Sequence, residues 1–389
     1  MNDIITLSGP AAGGGFVGRD DEGRVLFVRH GLPGETVKVE ITERHKRWGR
    51  ADAIEIIDPS PDRVAAPCPS FGPGKCGGCD YQHATLEAQR RFKAQLLAEQ
   101  LRRLAGIDQE VEVEVVGQGN GLATRTRIRY GRNGTGTLGM RRRASHDLIA
   151  IDACPLGSAA ITEATPAARA LEGSGDIEIV DLGGVISLVS DDDLESGFYP
   201  DDATVTVGSE SYVINPAGFF QIHRDAPELL VEVVLEGLAL TPGAVAADFY
   251  AGAGLFAKPM ARAVGEHGAV IAVEAAPQGV EGCETNLAEM PWAVAVESSV
   301  TPALINELRA DISHCVFDPP RQGIEAGVIE ALGEMPHLVR CVSVSCDAAT
   351  FARDLARFQE AGFGVESIRA FDLFEMTEHA EYVAVLSRD

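Results

Sequence analysis

Residues 244–256 read AVAADFYAGAGLF, and this stretch decides the fold of the second half of the chain. An apolar run that includes Asp248 indicates a buried strand, and Gly252 and Gly254 follow it where a helix begins. Glycine lets the backbone approach a ligand closely, and the first turn of a helix offers free N–H groups. The stretch therefore predicts a strand, a ligand-binding turn and a helix, as in α/β domains.

Three further apolar runs also end at side chains that can do chemistry. The first ends at Glu274, where an acid suits the ribose hydroxyls of a nucleoside cofactor, and the others end at Asp318 and Cys346. Because parallel strands end at one edge of an open α/β sheet, these side chains are expected at one site. The spacing of Asp248 from its glycines favours S-adenosylmethionine over NAD. Alternatively, the glycine turn could be purely structural and bind no ligand. Cys346 could likewise be an inert side chain that fills space in the core.

Charge is divided unevenly along the chain. The 389 residues carry a net charge of −25, yet residues 1–150 hold 22 Lys and Arg against 19 Asp and Glu, while residues 151–389 hold 11 against 39. This division favours a first half that binds a polyanion such as RNA, although an acidic, solubilising surface is the alternative. With 45% hydrophobic and 23% charged residues, the composition is that of a globular protein.

The sequence carries no signal for export or membrane insertion. Its first residues, Met1-Asn2-Asp3, do not form a basic signal region, and no apolar run reaches about 18 residues. We therefore expect a cytoplasmic protein without a membrane partner, in which clustered cysteines hold metal or do chemistry rather than form disulfides. No obligate protein partner is indicated, and a monomer is the default expectation.

The first half contains several basic segments. Residues 1–60 alternate short apolar runs with glycine turns, which predicts a small β-barrel. Residues 44–50, RHKRWGR, place a tryptophan among cations, as in barrels that bind single-stranded nucleic acid. Alternatively, this segment is an exposed hairpin without a ligand. Residues 84–105 are predicted as a basic helix that includes Lys93. Arginines occupy positions 125, 127 and 129, so that one side of a predicted strand would be uniformly basic. This side would contact RNA or, alternatively, would simply be exposed to solvent.

Several segments taken together resemble the RNA uracil-C5 methyltransferases, the enzymes that form 5-methyluridine. The matching segments are DPPR at 318–321, SC at 345–346 and the run at 371–381, and residues 215–221 resemble the family's Phe-x-Gln cofactor segment. The first 64 residues resemble a TRAM domain, which is an RNA-binding barrel, through residues 31–35 and 59–64.

The resemblance implies an α/β protein of three units. Residues 1–62 would form a TRAM-like or OB-like β-barrel that binds RNA. Residues 63–205 would form a central α+β domain with an iron–sulfur site and basic, RNA-facing strands. Residues 206–389 would form a Rossmann-like S-adenosylmethionine methyltransferase domain.

The resemblance also assigns roles to single residues. Cys346 matches the nucleophile that attacks carbon 6 of uracil, and Glu381 matches the base that removes the proton from carbon 5. Glu378 and His379, which lie in the same loop, are the rivals of Glu381. The positions that match the binding site of S-adenosylmethionine are Gln221, Tyr250, Glu274 and Asp318. Asp318 could contact the uracil instead.

The cysteines divide into two groups. Those that match the four ligands of the iron–sulfur branch of the family are Cys68, Cys76, Cys79 and Cys154. Four thiolates leave no open position on the metal, so the resemblance implies a structural [4Fe-4S] cluster. A four-cysteine zinc site is the rival on spacing alone. The cysteines expected to be purely structural are Cys283, Cys315 and Cys341.

Two positions depart from the family pattern. Asp347 stands where Asn usually follows the nucleophile, and a charged carboxylate there would raise the pKa of the thiol. His223 stands where Asn usually follows the Phe-x-Gln segment. Neither change removes a catalytic group, but both could alter rate or substrate choice.

The preferred hypothesis is formation of 5-methyluridine in 23S rRNA, because the TRAM and iron–sulfur features resemble the rRNA enzymes more than the minimal tRNA enzymes. The alternatives are a tRNA uracil-54 C5 methyltransferase, a non-catalytic metal-containing RNA-binding protein, and a methyltransferase that acts on small molecules.

Overall fold

The N-terminal part of the chain forms a six-stranded sheet. The computed structural model describes residues 4–133, 137–197, 199–308 and 311–388. The six strands are β1 (Ile4–Thr6), β2 (Pro10–Ala11), β3 (Gly15–Arg19), β4 (Val25–Arg29), β5 (Thr36–Arg44) and β6 (Trp48–Asp58). Their order is β1-β5-β6-β4-β3-β2, and β4 and β6 run parallel while the other neighbours are antiparallel. Alternate side chains such as Leu26 and Val28 point into a shared apolar core, as the pattern of this segment predicts.

A helical segment follows the first three cysteines, Cys68, Cys76 and Cys79. Helix α1 (Leu86–Gln100) continues into a π-helical turn (Leu101–Ala105), and the short strand β7 (Val113–Glu114) comes next. Helix α1 begins where it does because Thr85 Oγ1 accepts a hydrogen bond from the Ala88 N–H at 3.2 Å, which satisfies a free donor of the first turn.

The second sheet is antiparallel and five-stranded. Its strands are β8 (Arg127–Arg132), β9 (Leu138–Arg141), β10 (Leu148–Ala150), β11 (Ile177–Leu182) and β12 (Val185–Ser190), in the order β10-β9-β8-β11-β12. Helix α2 (Ala159–Ala170) packs on β11, and α3 (Asp191–Glu195) follows β12. A hairpin of β13 (Ala203–Val207) and β14 (Glu210–Ile214) leads out of this region. It spans position 206, where the predicted C-terminal domain begins.

Two of the three arginines of the predicted basic face, Arg127 and Arg129, lie on β8, and both have acidic partners within the chain. Arg127 Nη1 lies 2.8 Å from Glu178 Oε2, and Arg129 Nη2 lies 2.6 Å from Asp191 Oδ2. Arg125 precedes β8 and lies near Cys79 and Cys154; burial raises the pKa values of both thiols, and the positive charge of Arg125 opposes this effect in part. Contact of this face with RNA stays a prediction.

The C-terminal part is a three-layer α/β structure. Its elements are α4 (Ala226–Leu238), β15 (Val245–Phe249), α5 (Ala257–Val264), β16 (Ala269–Glu274), α6 (Pro277–Leu287), β17 (Ala293–Glu297), α7 (Pro302–Glu307), β18 (His314–Phe317), α8 (Val328–Gly333), β19 (Arg340–Ser345), α9 (Ala348–Glu360), β20 (Gly364–Phe371) and β21 (Glu381–Ser387). The strand order is β17-β16-β15-β18-β19-β21-β20-β7. Strands β15 to β19 run parallel, and β21 is antiparallel to both β19 and β20. The predicted α/β class is therefore confirmed.

Residues from the first half complete this sheet. Strand β7 pairs in parallel with β20, so the last strand of the sheet comes from a segment predicted to belong to the central unit. Leu97, Leu101 and Val113 lie in the same apolar cluster as Phe317 and Phe358. The domain boundaries at 62 and 205 stay a prediction.

No helix within the described residues is long and apolar enough to cross a membrane.

Candidate active site

All six residues that the sequence assigns to catalysis and cofactor binding line one cavity. The parallel strands β15, β16, β18 and β19 end at the same edge of the sheet, and a cavity of about 890 Å³ opens there. The predicted residues that line it are Gln221, Tyr250, Glu274, Asp318, Cys346 and Glu381. Phe219, the aromatic residue of the Phe-x-Gln segment, also lines the cavity, with 60% of its surface exposed, although sequence analysis assigned it no separate role.

The glycine turn after β15 has the backbone that its sequence predicts. Gly252 and Gly254 have φ values of 53° and 85°, in the left-handed region that favours glycine, and Tyr250 also has a positive φ of 69°. A Cβ atom at position 254 would lie 3.0 Å from the Sγ of Cys283, which leaves little space for a side chain. The turn therefore needs glycine both for its conformation and for its packing.

Backbone donors fix the carboxylate of Glu274. The Gly252 N–H donates to Glu274 Oε2 at 2.8 Å, and the Ala275 and Ala276 N–H groups donate to Oε1 at 2.8 and 2.7 Å. These bonds hold the acid at the edge of the cavity beside the glycine turn, where an acid in a nucleoside-binding fold contacts the ribose.

Asp318 and Gln221 form a pair inside the cavity. Gln221 Nε2 donates to Asp318 Oδ2 at 3.0 Å. Burial raises the pKa of Asp318, while the bond from Gln221 acts in the opposite direction. Because Asp318 follows β18 directly and Pro319 and Pro320 restrict the backbone after it, its carboxyl group is held at the strand end.

The thiol of Cys346 lies in a mixed electrostatic environment. Burial and then the negative charge of Glu381 raise the pKa of Cys346 to about 12, while the Arg321 cation lowers it. Negative charges on Asp318 and Asp347 add smaller upward contributions. The thiol is therefore protonated near neutral pH, and any further positive charge in the cavity would favour the thiolate.

Glu381 differs from its two rivals in position. It is 4% exposed and lines the cavity, and burial followed by the charge of Asp318 raises its pKa well above the usual range. Glu378 instead accepts the Gly13 N–H at 2.6 Å, on the side of the N-terminal sheet. Neither Glu378 nor His379 is among the residues that line this cavity.

A loop before β21, residues 372–380, is fixed by the first half of the chain; we call it the base loop because Glu381 follows it. The N–H groups of Asp80 and Tyr81 both donate to the Met376 carbonyl, at 2.8 and 3.0 Å. Lys93 Nζ lies 2.5 Å from Asp372 Oδ1, and both side chains are buried. Sequence analysis missed these contacts, because residues almost 300 positions apart show no common pattern.

The two departures from the family pattern have local structural roles. Asp347 is the N-cap of α9, and its Oδ1 accepts the Thr350 N–H at 2.8 Å. His223 is buried away from the cavity, and its Nε2 lies 3.3 Å from Glu375 Oε1 in the base loop. Asn and Asp are equally good N-caps, so Asp347 keeps the helix start of the usual residue while adding a charge.

The four predicted metal ligands are free cysteines in one neighbourhood. The pKa of Cys76 is raised by burial, with added contributions from Cys154 and Cys68, and that of Cys79 by burial, with contributions from Cys154 and Cys76. Two N–H groups point at sulfur: the Gly78 N–H at 3.4 Å from Cys76 Sγ, and Gln82 Nε2 at 3.1 Å from Cys79 Sγ. Such N–H···S bonds suit thiolates bound to a metal.

Within the described part of the chain, however, no group of three or more His, Cys, Asp or Glu side chains is arranged to hold a metal ion. The metal site is therefore not confirmed and stays a prediction. Cys283, Cys315 and Cys341 are fully buried, as expected of structural cysteines.

Similarity to known proteins is extensive. Residues 5–54 match the TRAM domain. An uncharacterized RNA methyltransferase of Streptomyces coelicolor is 38% identical, over 97% of this chain and 91% of its own length. The 23S rRNA (uracil(1939)-C(5))-methyltransferase RlmD of Halomonas elongata is 31% identical, over 98% of this chain and 89% of its own length.

Among solved structures, the tRNA (uracil-54, C5)-methyltransferase of Pyrococcus abyssi, in complex with S-adenosyl-L-homocysteine, has the same fold, with a TM-score of 0.71. The two chains are 22% identical, and the match covers 99% of this chain and 100% of that one. With sequence similarity along nearly its whole length and a TRAM domain at its start, the chain belongs to the family of RNA methyltransferases that contains the uracil-C5 enzymes.

Proposed function

We propose that this protein transfers a methyl group from S-adenosylmethionine to carbon 5 of a uracil in RNA. The observation that carries the proposal is the single cavity that holds the thiol of Cys346, the carboxyl group of Glu381 and the glycine turn with Glu274. A nucleophile, a base and a nucleoside-binding edge are the groups that this reaction needs.

The chemistry of uracil assigns the roles. Carbon 5 is too weakly nucleophilic to accept a methyl group unaided, and attack of the Cys346 thiolate at carbon 6 makes an enolate whose carbon 5 is nucleophilic. S-adenosylmethionine, when bound, supplies the methyl group and a sulfonium charge. Glu381 then takes the proton from carbon 5, and the C–S bond breaks as the ring double bond re-forms and Cys346 leaves as a thiolate.

The electrostatics of the cavity indicate what ligand binding must supply. Burial and the charge of Glu381 raise the pKa of Cys346 to about 12 against the smaller opposing effect of Arg321, and a positively charged ligand in the cavity would lower this pKa. Burial raises the pKa of Glu381, so that once ionised this carboxylate is a stronger base than an exposed glutamate.

The direct test is transfer of a labelled methyl group to RNA. Wild type should form 5-methyluridine, detected by mass spectrometry of the digested RNA, and Cys346→Ala and Cys346→Ser should lose at least about a thousandfold in rate. Both variants should still bind S-adenosylmethionine, which controls for folding. Undiminished transfer by Cys346→Ala would exclude the mechanism.

For the RNA substrate we propose 23S rRNA. The support is the 31% identity to the 23S rRNA enzyme of Halomonas elongata over 98% of this chain, together with the TRAM domain at residues 5–54. Mapping 5-methyluridine in RNA from cells with and without the protein distinguishes the two: a change confined to tRNA would favour the tRNA alternative. Tight RNA binding without turnover would favour the non-catalytic alternative.

We also propose that the four cysteines, Cys68, Cys76, Cys79 and Cys154, hold a structural [4Fe-4S] cluster, with zinc as the alternative. Their free thiols and the N–H groups directed at sulfur fit such a group. Residues directly after Cys79 bond to the base loop, so the cluster would stabilise that contact. Anaerobically purified protein should be brown and contain iron, and chelation should lower its melting temperature. Colourless protein with stoichiometric zinc would overturn the cluster.

A further inference from the structure

The base loop contacts the N-terminal sheet through the side chain of Glu378. This residue lies three positions before Glu381, and its Oε2 accepts the Gly13 N–H at 2.6 Å, in the turn of residues 12–14 between β2 and β3. The proposed reaction uses Glu381 and gives Glu378 no role. The contact of Glu378 with the sheet is therefore not explained by the chemistry of the cavity.

The glycine turn is a binding site for this carboxylate. Gly13 and Gly14 have φ values of 92° and 70°, and consecutive N–H groups of such a turn can point to one side and bind an anion. Burial and then the charge of Asp80 raise the pKa of Glu378, whereas hydrogen bonds from the Gly14 and Gly13 N–H groups lower it. Both donors therefore favour the charged carboxylate and hold it at the turn.

Four segments that are distant in sequence form a closed ring of hydrogen bonds around this contact. The Glu378 N–H donates to Asp80 Oδ2 at 3.3 Å, and Arg143 Nη1 donates to Asp80 Oδ1 at 3.1 Å. Arg143 Nη2 donates to the Gly13 carbonyl at 2.7 Å, which closes the ring at the glycine turn. The five residues that form this arrangement, which we call the junction, are Gly13, Gly14, Asp80, Arg143 and Glu378.

The junction lies beside the segments that carry both reacting side chains. A small cavity of about 70 Å³ separates the glycine turn from the start of α9, and its lining includes Gly13, Asp347 and Glu378. Asp347 directly follows the nucleophile Cys346, and Glu378 lies on the loop that ends at the base, Glu381. A displacement of the turn would therefore be felt where the reaction takes place.

The turn packs closely against Asp80. A Cβ atom at position 14 would lie 2.3 Å from Cγ and Oδ1 of Asp80, so only glycine allows this approach. Gly23, in the turn between β3 and β4, also has a positive φ, of 76°. Apart from its chain neighbours, no heavy atom of the described residues lies within 4 Å of the place that a Cβ atom would take there. The two glycines have the same backbone requirement, but only Gly14 contacts the junction.

We propose that the N-terminal sheet takes part in the chemical step: its glycine turn holds Glu378, and Glu378 positions the base loop so that Glu381 reaches the proton on carbon 5. The inference rests on the proposed function and assigns a positioning role to a residue outside the catalytic cavity. A sheet that only bound RNA would affect the KM for RNA, whereas a sheet that holds the base loop also affects kcat.

The proposed reaction provides a specific readout for this role. The methyl group is transferred before the proton leaves carbon 5, and the C–S bond to Cys346 breaks only as that proton is removed. If Glu381 is displaced, the methylated adduct should therefore accumulate on ordinary RNA. A loss of stability alone would lower the amount of active enzyme without this accumulation.

Two variants disrupt the contact from its two sides. Glu378→Ala and Gly14→Ala should each lower kcat at saturating RNA about 10- to 100-fold, because the base is misplaced. The affinities for RNA and for S-adenosylmethionine should each change less than about twofold. With ordinary RNA and a labelled methyl donor, both variants should form a denaturation-resistant, methyl-labelled protein–RNA complex in larger amounts than the wild type.

The controls separate positioning from strain and from chemistry. Gly23→Ala imposes the same backbone strain on the same sheet, and should keep the kcat of the wild type and accumulate no adduct. Glu378→Gln keeps an oxygen that can accept the Gly13 N–H, and should retain most of the activity. Wild-type kcat in both Glu378→Ala and Gly14→Ala would overturn the inference. So would a lower kcat without the adduct, and so would a loss confined to Glu378→Ala, which would make Glu378 the base itself.

Amide hydrogen exchange distinguishes failure of this inference from failure of the proposed function, because it needs no turnover. The amides of residues 372–380 should exchange at least about tenfold faster in Gly14→Ala than in the wild type, and at an unchanged rate in Gly23→Ala. Unchanged exchange in Gly14→Ala, with a wild type that forms 5-methyluridine, would refute the positioning role and leave the function intact. Faster exchange, with a wild type that forms no 5-methyluridine on any RNA, would uphold the hold of the turn on the loop and refute the function.

Discussion

Asp347 is the residue at which local stability and chemistry conflict. Its carboxylate caps α9 and at the same time raises the pKa of the neighbouring Cys346. Asp347→Asn keeps an N-cap of equal strength and removes the charge. We therefore expect kcat/KM at pH 7 to rise about two- to fivefold in this variant.

Asp347→Ala separates the two roles. It also removes the charge but leaves the Thr350 N–H without its cap, so the free energy of unfolding should fall by about 1 kcal/mol. Denaturant unfolding of both variants measures this difference. Lower kcat/KM in Asp347→Asn together with unchanged stability would show that the charge assists the reaction.

The pH dependence of the reaction follows from three groups in the cavity. Burial and the charge of Glu381 raise the pKa of Cys346 to about 12, and burial raises the pKa values of Glu381 and Asp318. The reactive forms are the thiolate and the carboxylates, so each group becomes more reactive as pH rises. The kcat/KM for RNA should increase with pH, with a logarithmic slope of about one approaching pH 9. A profile that falls over this range would contradict these assignments.

The sequence was sufficient to identify which residues line the cavity, but not their electrostatics. Cys346, Asp318 and Glu274 each end a strand, and strand ends can be read from apolar runs. The neighbours that set the pKa of Cys346 come from separate segments, and only the folded chain brings them together. Sequence resemblance preferred Glu381 over Glu378 as the base but could not show that Glu381 lines the cavity while Glu378 contacts Gly13.

At the scale of elements, helix α1 and the base loop act as a unit. The sequence predicted a basic helix here, and in the structure its Lys93 is buried and paired with Asp372. Lys93→Met would leave the carboxylate of Asp372 buried without its close partner, and should lower the free energy of unfolding by about 3 kcal/mol.

A matched double variant tests whether the pair also positions Glu381. Lys93→Met with Asp372→Leu removes both charges, so stability should recover in large part, as for other buried pairs. We expect kcat to stay at least about tenfold reduced in both variants, because the loop loses its fixed anchor while the binding of S-adenosylmethionine is unchanged. Wild-type kcat in the stable double variant would show that the pair serves stability alone.

At the scale of the whole molecule, the C-terminal sheet is not built from the C-terminal sequence alone. The predicted domain of residues 206–389 lacks β7 and the apolar residues of α1 that pack against Phe317 and Phe358. A fragment of 206–389 should therefore expose an apolar surface, and should aggregate or melt at least about 10 °C below a fragment of 63–389.

Thermal unfolding and light scattering of the two fragments check this expectation. Equal stability would show that the sequence-based boundary at 205 marks an independent unit. The sequence could not foresee the pairing of β7, because a strand of two residues at the edge of a sheet carries almost no pattern of its own.

The proposed reaction depends on a covalent bond between Cys346 and carbon 6 of the target uracil. RNA that carries 5-fluorouridine tests this bond, because fluorine at carbon 5 cannot be removed as a proton and the adduct persists. With S-adenosylmethionine present, we predict a denaturation-resistant protein–RNA complex whose linked peptide contains Cys346, and none with Cys346→Ala. Methylation of ordinary RNA by a wild-type enzyme that never forms this adduct would contradict the account.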